Sequence, residues 1–458
     1  MFEKIPWGDR KKGEGTAERL GWSVVKEGEY KVGLPPLSVD EEAVVLATEK
    51  EYRKLVEERE LAMEEVEAEL GSAITKHAEA EGISLDREQR DYLAKYAKMH
   101  LYGFAFLDEL LADDWIEEIS VVGLGKPAYV FIRKSGWRKV NARFDDEKTL
   151  MDVVNKMAAK VGRRITLQHP RLDAMLPDGS RLHASLPPVS GGELTIRKFR
   201  ENPFSPREIA DSGTAGFGEM ALLSMLMQTD CSLMVAGNTA SGKTTTLNAL
   251  FCFVPSDERV VIVEETPEIN VPHPHQVRLA VNREMGIGLK DLVYDSLRMR
   301  PDRMVVGEVR SREEVEALFD VLLAGQARGT YATFHGQSAR ETLLRLGNMG
   351  VEKVDLPSID VLVVQRRGVE YSKKSRKGRE LRKITEICEI QGDGSPRPLV
   401  RSGKVDFGAD VCERAAGALG LSRAEFRDEL AGRAKWIARA PGEFQAFFES
   451  AQKRIYGM

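Results

Sequence analysis

Apolar residues recur at helical spacing through a charged stretch from Asp40 to Leu70, where Leu55, Leu61, Val66 and Leu70 mark one stripe. The pattern predicts a helix with one packed face and one face of Glu, Lys and Arg in water. Packing within its own domain is favoured over a partner-docking coiled coil. A second helix is expected over Asp86 to Tyr102. Ahead of both, the first thirty residues mix Gly, Lys and Glu around Trp7 and Trp22 and read as an irregular arm, and Pro35-Pro36 breaks the chain. From about Leu110 the runs shorten. Ala128 to Ile132 reads as a strand, Lys134-Ser135-Gly136 as a turn, Leu150 to Val161 as a helix with Val153, Val154 and Met157 on one face, and Pro177-Asp178-Gly179 as another turn. This alternation to Phe199 predicts a small α+β domain. The segment Glu201 to Pro206, with Pro203 and Pro206, is a linker. Beyond it β-rich runs alternate with helices to about Arg366, the order of an open α/β sheet. Lys373 to Arg379 is basic and turn-rich, a hairpin loop, and Leu381 to Ile390 resumes strand character. The tail is helical, with Ser422-Arg423-Ala424-Glu425 matching a capping box. These breaks divide the chain into a largely helical region 1–105, an α+β domain 106–202, an α/β domain 207–390 and a helical extension 391–458.

Composition narrows the function classes. At 458 residues the chain has room for about three domains, taking about 150 residues each. It holds 67 basic and 72 acidic residues for a net charge of −5, which argues against a general nucleic-acid binder. Cys231, Cys252, Cys388 and Cys412 form no CxxC pair, so buried thiols in a reducing compartment are expected rather than disulfides or a zinc knuckle. Met1 to Lys12 lacks the apolar core of a signal peptide, and no apolar run reaches the ~18 residues of a membrane span. The expectation is a cytoplasmic chain that meets a membrane only through a partner.

One segment carries specific chemistry. Gly237-Asn238-Thr239-Ala240-Ser241-Gly242-Lys243-Thr244 fits G-x-x-x-x-G-K-[ST], between an apolar strand at Ser232 to Ala236 and a helix-competent run from Thr245 to Phe253. Glycines let backbone N–H groups approach phosphate oxygens, and the helix N-terminus adds partial positive charge. Lys243 can reach β- and γ-phosphates, and the Thr244 hydroxyl can ligate Mg²⁺. Nucleotide, ATP, and Mg²⁺ are the implied cofactors.

Two acidic clusters end strands. Arg259 to Val263 runs into Glu264-Glu265-Thr266-Pro267-Glu268, and Met304 to Gly307 runs into Glu308. In an open α/β sheet ligands sit at the carboxyl ends of strands, so both clusters should face the glycine loop. One carboxylate should hold Mg²⁺ and another should orient or deprotonate the attacking water. Gly329 to Phe334 is a further strand, ending at His335, where the same rule allows a γ-phosphate contact. His273-Pro274-His275 lacks neighbouring ligands, and metal binding there is disfavoured.

In this order the pieces resemble the type II/type IV secretion ATPase superfamily, which includes pilus and archaellum motor ATPases. The resemblance matches Gly237–Thr244 to the Walker A loop, Glu264–Glu268 to the acidic box, Met304–Glu308 to Walker B and Ala324–His335 to the histidine box. Arg300-Pro301-Asp302-Arg303 matches the surroundings of Walker B. Upstream, Pro170 to Asp173, Leu176 to Arg181 and Leu194 to Phe199 resemble the family's nucleotide-covering domain. The resemblance implies a RecA-like P-loop domain, a hexameric ring, Glu264 polarising water, Glu308 as the Walker B acid and His335 sensing the γ-phosphate. Arg181 and Arg197, with Arg171 nearby, are the arginines it implies for completing the site. It also implies a polytopic membrane platform protein as partner, docked through residues 1–100, and prepilin-like substrates moved indirectly. Three departures stand out: Glu264-Glu265 where Glu-Asp is usual, Gly325-Gln326 where Gly-His is usual, and no tetracysteine zinc element. The last, with the helical tail, points toward the archaeal branch. Two other functions share the same loop: a RecA-like nucleic-acid translocase, which needs a basic channel, and a non-hydrolysing nucleotide-binding scaffold.

Overall fold

The computed structural model describes residues 22–24, 28–33, 37–58, 63–132, 135–199, 202–282, 285–371 and 378–458. The expected N-terminal arm around Trp7, the Pro35-Pro36 break, Glu201 and most of the Lys373–Arg379 loop lie outside them. The chain forms two compact units, Met1–Phe199 and Arg200–Met458.

The first unit opens with β1 (Trp22–Val24), then α1 (Val39–Glu58), α2 (Met63–Ala80), α3 (Arg87–Tyr102) and α4 (Leu107–Ala112). The single helix expected from Asp40 to Leu70 is therefore two, and the second runs on to Ala80. Lys76 and His77 of α2 meet Glu51 of α1, which one straight helix cannot do at about 1.5 Å per residue, and Val44, Val45 and Tyr52 of α1 share a core with Val66, Leu70, Ile74 and Ala78 of α2. The helix expected from Asp86 is α3, with Asp86 as its cap: its side chain accepts from Gln89 N–H, and Gln89 reciprocates.

The rest of this unit is β2 (Ile116–Val121), β3 (Pro127–Ile132), β4 (Gly136–Phe144), α5 (Glu147–Ala159), β5 (Arg171–Met175), β6 (Arg181–Ser185) and β7 (Glu193–Arg197). The strands make a seven-stranded sheet in the order β1-β4-β3-β2-β7-β6-β5. Leu150, Val153, Val154 and Met157 turn the apolar face of α5 into the core shared with α1 to α3. The turn at Pro177 to Gly179 is a hairpin joining β5 and β6, with Gly179 at φ +81°.

In the second unit α6 (Pro206–Asp211) and α7 (Phe217–Met227) precede β8 (Leu233–Gly237) and α8 (Lys243–Leu250). Then come β9 (Val260–Glu264), β10 (Gln276–Ala280), α9 (Leu289–Ser296), β11 (Arg303–Val309), α10 (Arg312–Ala324), β12 (Gly329–Phe334) and α11 (Ala339–Asn348). β13 (Val361–Tyr371), β14 (Gly378–Ile390) and β15 (Pro396–Pro398) complete an eight-stranded sheet ordered β10-β9-β11-β12-β8-β13-β14-β15. The strands from β10 to β13 are parallel, and β14 and β15 add antiparallel to the edge.

Alternation decides which face each side chain joins. Leu233, Val235, Val361 and Val363 pack with α7 and α8, and Met234, Ala236, Leu362 and Val364 pack with α9 to α11. Both faces are covered, which explains why β8, β9 and β12 are buried at every position. The tail forms α12 (Asp410–Ala418), α13 (Arg423–Ile437) and α14 (Phe444–Ala451), whose Cys412, Phe426, Ile437 and Phe447 join the α7–α8 face of the core. The Ser422–Glu425 capping box opens α13. All four cysteines are free and buried. His273 lies against Phe251 and Phe448, and burial pushes its pKa down to about 4, which leaves a neutral ring inside the core.

Candidate active site

The glycine loop lies between β8 and α8, as the strand–loop–helix order of the sequence requires. Gly242 has φ +94° and Ala240 φ +60°, so the loop turns through left-handed conformations just before α8. A Cβ at Gly237 would fall 2.1 Å from the Gln365 carbonyl oxygen, and one at Gly242 would fall 2.9 Å from Gln365 Nε2. Glycine at these two positions is a steric requirement as well as a conformational one. Lys243 is buried, with Nζ 3.5 Å from the Gly237 carbonyl oxygen and 3.4 Å from Glu308 Oε1. Burial pulls its pKa below the ordinary lysine value, and Glu308 opposes that pull.

Sheet order brings the acids to the loop. β12 separates β8 from β11, and β9 lies on the far side of β11. The β11–β12 register shifts between Val306 and Glu308, so Gly307 is the extra residue of a β-bulge. The bulge presents Glu308 to three nitrogen-bearing side chains. Its Oε1 meets Lys243 and, at 2.7 Å, His335 Nε2, while its Oε2 takes the Arg310 guanidinium. Burial raises the Glu308 pKa, but Arg310, Lys243 and His335 outweigh it and hold the carboxyl below its ordinary value. His335 is held below the usual histidine range by burial and by Lys243, Arg310 and Arg345, against Glu308.

The three acids after β9 separate into different environments. Glu264 is buried in a slot where a Cβ on Gly307 would come within 3.0 Å of its Cγ. Its Oε1 accepts from the Glu268 and Ile269 amides at 2.8 Å each, and its Oε2 has no hydrogen-bond partner, with Arg278 Nε 4.0 Å away. Burial pushes its pKa up to about 7. Glu265 Oε2 accepts from Arg310 Nη1 at 2.8 Å. Glu268 Oε2 accepts from the Thr244 hydroxyl at 3.1 Å, and its carbonyl oxygen accepts from Asn248. Thus Glu264 organises the loop that carries Glu268 to the first turn of α8.

Lys243, Thr244, Glu264, Glu265, Glu268, Glu308 and His335 are therefore brought together within one unit. Arg181 and Arg197 lie in the other unit, where they are directly paired across β6 and β7, with Glu118 opposite Arg197 on β2. Pairing in register puts the two arginines on one face of the sheet. Thr245 follows the loop in α8, and Asn238 is bonded to the Arg367 backbone. Arg310, two residues past Glu308, joins Glu308 to Glu265. Arg278, Gln365 and Arg382 carried no signal, because each acts from a strand distant in sequence. Gly325 is the left-handed C-cap of α10, so the residue that opens the histidine box is a helix stop.

A family model described as "Type II/IV secretion system protein" matches residues 102–400. The chain belongs to that family. It is 32% identical over 372 residues to an uncharacterized protein of Methanocaldococcus jannaschii, a match covering 76% of this chain and 65% of the relative. It is 27% identical over 270 residues to the type IV secretion system protein VirB11 of Brucella suis, covering 51% of this chain and 74% of the relative. Among solved structures, the ATPase DotB of Legionella pneumophila is 17% identical with a TM-score of 0.45, covering 76% of this chain and 90% of that one. The fold is an α/β unit on an eight-stranded, mostly parallel sheet and an α+β unit on a seven-stranded sheet. No helix among the described residues is long and apolar enough to cross a membrane.

The residues present fit a Mg²⁺–nucleotide. The loop leaves no room for side chains at Gly237 and Gly242, and the buried Ser241 Oγ and Glu264 Oε2 have no hydrogen-bond partner. No cluster of three or more His, Cys, Asp or Glu that could hold a metal occurs among the described residues. A Mg²⁺ at Thr244 would therefore take most of its ligands from phosphate oxygens and water, which is its usual habit.

Proposed function

We propose that this chain is a Mg²⁺-dependent ATP hydrolase that works as a homohexameric ring and drives a membrane-anchored type IV pilus-like, archaellum-like or type II/IV secretion machine. The observation that carries the reading is the convergence of Lys243, Thr244, Glu268, Glu308 and His335 around one glycine loop at the ends of parallel strands. Gly237 to Thr245 would hold the nucleotide, and Thr244 and Glu308 would hold Mg²⁺, directly or through water. Bound Mg²⁺ supplies charge neutralisation at the β- and γ-phosphates. Glu268, Glu265 and Glu264 are the candidates for placing or activating water, and His335 for reading the γ-phosphate.

Arg181 and Arg197 of the α+β domain would bring further positive charge to the transferring group. Region 1–105 would dock a polytopic membrane platform protein, which holds the motor at the cytoplasmic face and passes work to prepilin-like substrates. Family membership supports the secretion reading, and the missing tetracysteine element favours the archaeal branch.

The test is phosphate release by the purified chain with Mg²⁺ and ATP. Lys243→Ala should abolish binding or turnover, and Glu308→Gln should bind ATP but not hydrolyse it. Turnover unchanged in Lys243→Ala overturns the assignment. Hydrolysis that requires DNA or RNA would move it to a translocase, and ATP binding without turnover in the wild type would leave a scaffold.

A further inference from the structure

The β13–β14 hairpin holds the glycine loop at successive points. Gln365, 2% exposed, accepts from the Thr246 hydroxyl at 2.6 Å through Oε1 and donates to the Ser241 carbonyl at 2.8 Å through Nε2. Asn238 Nδ2 donates to the Arg367 carbonyl at 3.2 Å, and Arg367 N–H donates back to Asn238 Oδ1 at 2.9 Å. From β14, Arg382 Nε donates to the Ala240 carbonyl at 3.0 Å. Loop positions 238, 240 and 241 are thus each bonded to the hairpin.

The backbone places these groups by design of register. Gln365 is the last β13 residue paired with β8, where it lies opposite Gly237. The β13–β14 ladder shifts between Val364 and Gln365, a bulge at the point where the strand leaves the sheet. Beyond it Arg366 to Tyr371 pair with β14 alone, from Lys383 back to Gly378. The hairpin stem is therefore a two-stranded ribbon rooted at the glycine loop. Arg367 and Arg382 share Glu380 on that stem.

The consequence for an anion follows from peptide geometry. In a trans peptide the C=O and the next N–H point in opposite directions. Bonding the Ser241 carbonyl to Gln365 turns the Gly242 N–H away from the hairpin, and Arg382 draws off the Ala240 carbonyl, while the Ser241 N–H is taken by the Asn238 carbonyl. Carbonyl oxygens repel phosphate, whereas inward N–H groups attract it. A loop whose carbonyls are already engaged loses less freedom when a phosphate arrives.

We propose that Gln365 and Arg382 are positioning residues that hold the glycine loop in its phosphate-binding shape, so that the β13–β14 ribbon and nucleotide affinity are coupled. This rests on the nucleotide reading of the loop. It adds that the shape is imposed by a hairpin more than 120 residues downstream of it.

The test uses the full-length chain with Gln365→Met, which keeps length and removes both hydrogen bonds, and Arg382→Gln, at a partly exposed site. Amide hydrogen exchange over residues 238–242 is read without nucleotide, and ATP binding and kinetics are read separately. For Gln365→Met, exchange in the loop should rise about tenfold. The KM and Kd for ATP should rise by about tenfold or more, the scale of two buried hydrogen bonds, with kcat falling less than KM rises. Arg382→Gln should move the same readouts in the same direction by a smaller factor. It serves alone if Gln365→Met fails to fold. Unchanged loop exchange together with unchanged ATP affinity in the folded variants overturns the proposal. Failure of the wild type to bind ATP would instead overturn the nucleotide reading, while the exchange measurement still tests the hairpin's hold on the loop.

Discussion

The Thr244 hydroxyl donates to Glu268 Oε2 over 3.1 Å, which ties the first turn of α8 to the loop after β9. Of the three acids at the end of β9 and in that loop, Glu268 is the one in contact with a candidate Mg²⁺ ligand. Glu268→Gln keeps an acceptor for Thr244 but loses the charge. Turnover should fall by ~10²-fold or more, the range of a positioned acid or base. Glu265→Gln, which loses its charge toward Arg310, should cost about tenfold or less. Steady-state kinetics across a Mg²⁺ titration checks both, and the reverse order of losses would make Glu265 the acid that acts on water.

Glu264 makes stability depend on pH. Its folded pKa is raised to about 7 from an ordinary 4.5 by burial, against the Glu268 and Ile269 amides and Arg278. A raised carboxyl favours the folded state fully below the unfolded pKa, and that contribution is lost as pH rises through the folded value. Glu264→Gln cannot ionise. Between pH 5 and pH 8 the stability difference should therefore move in the variant's favour by up to about 3 kcal/mol. Urea unfolding at both pH values measures the shift. A difference constant with pH would mean that Glu264 is ionised throughout in the folded chain.

Arg181 and Arg197 are cross-strand neighbours on the sheet of the first unit. If they serve the nucleotide of another subunit, Arg181→Ala or Arg197→Ala should cut turnover by ~10³-fold, the scale of arginines supplied in trans, and change ATP affinity little. Mixing either variant with Lys243→Ala should restore part of the activity, because each supplies what the other lacks. Specific activity should rise with protein concentration as rings form. Full activity in a dilute monomer would remove both the ring and the arginine assignments.

Much of the candidate site was legible in the sequence. The glycine loop, the acids after two strands and His335 after a third are each local in sequence, and the rule that ligands gather at strand carboxyl ends joins them. What stayed illegible is the division of labour. Glu264 and Glu268 are four residues apart, yet one is buried in a slot against Gly307 and the other bonds Thr244. Arg303 belongs to the Walker B surroundings in sequence but not to the site in space. It is fully buried at the opposite end of β11, bonded to Glu258 and Tyr331, where it holds the sheet together.

The sequence by itself determined that a strand, a phosphate-type loop and a helix follow one another, and that acidic strand ends accompany them. Those features depend on spacing within a dozen residues or so, where backbone geometry leaves few choices. Only the tertiary structure decided that Glu308 is shared by Lys243, His335 and Arg310, that α1 and α2 are separate helices, and that Gln365 and Arg382 hold the loop. Each of these depends on which strands become neighbours. In the order β11-β12-β8-β13 Lys243 meets Glu308 from 65 residues away and the loop meets β13 and β14 from 124 to 142 residues away, and hydrogen bonds and ion pairs reach only a few ångströms.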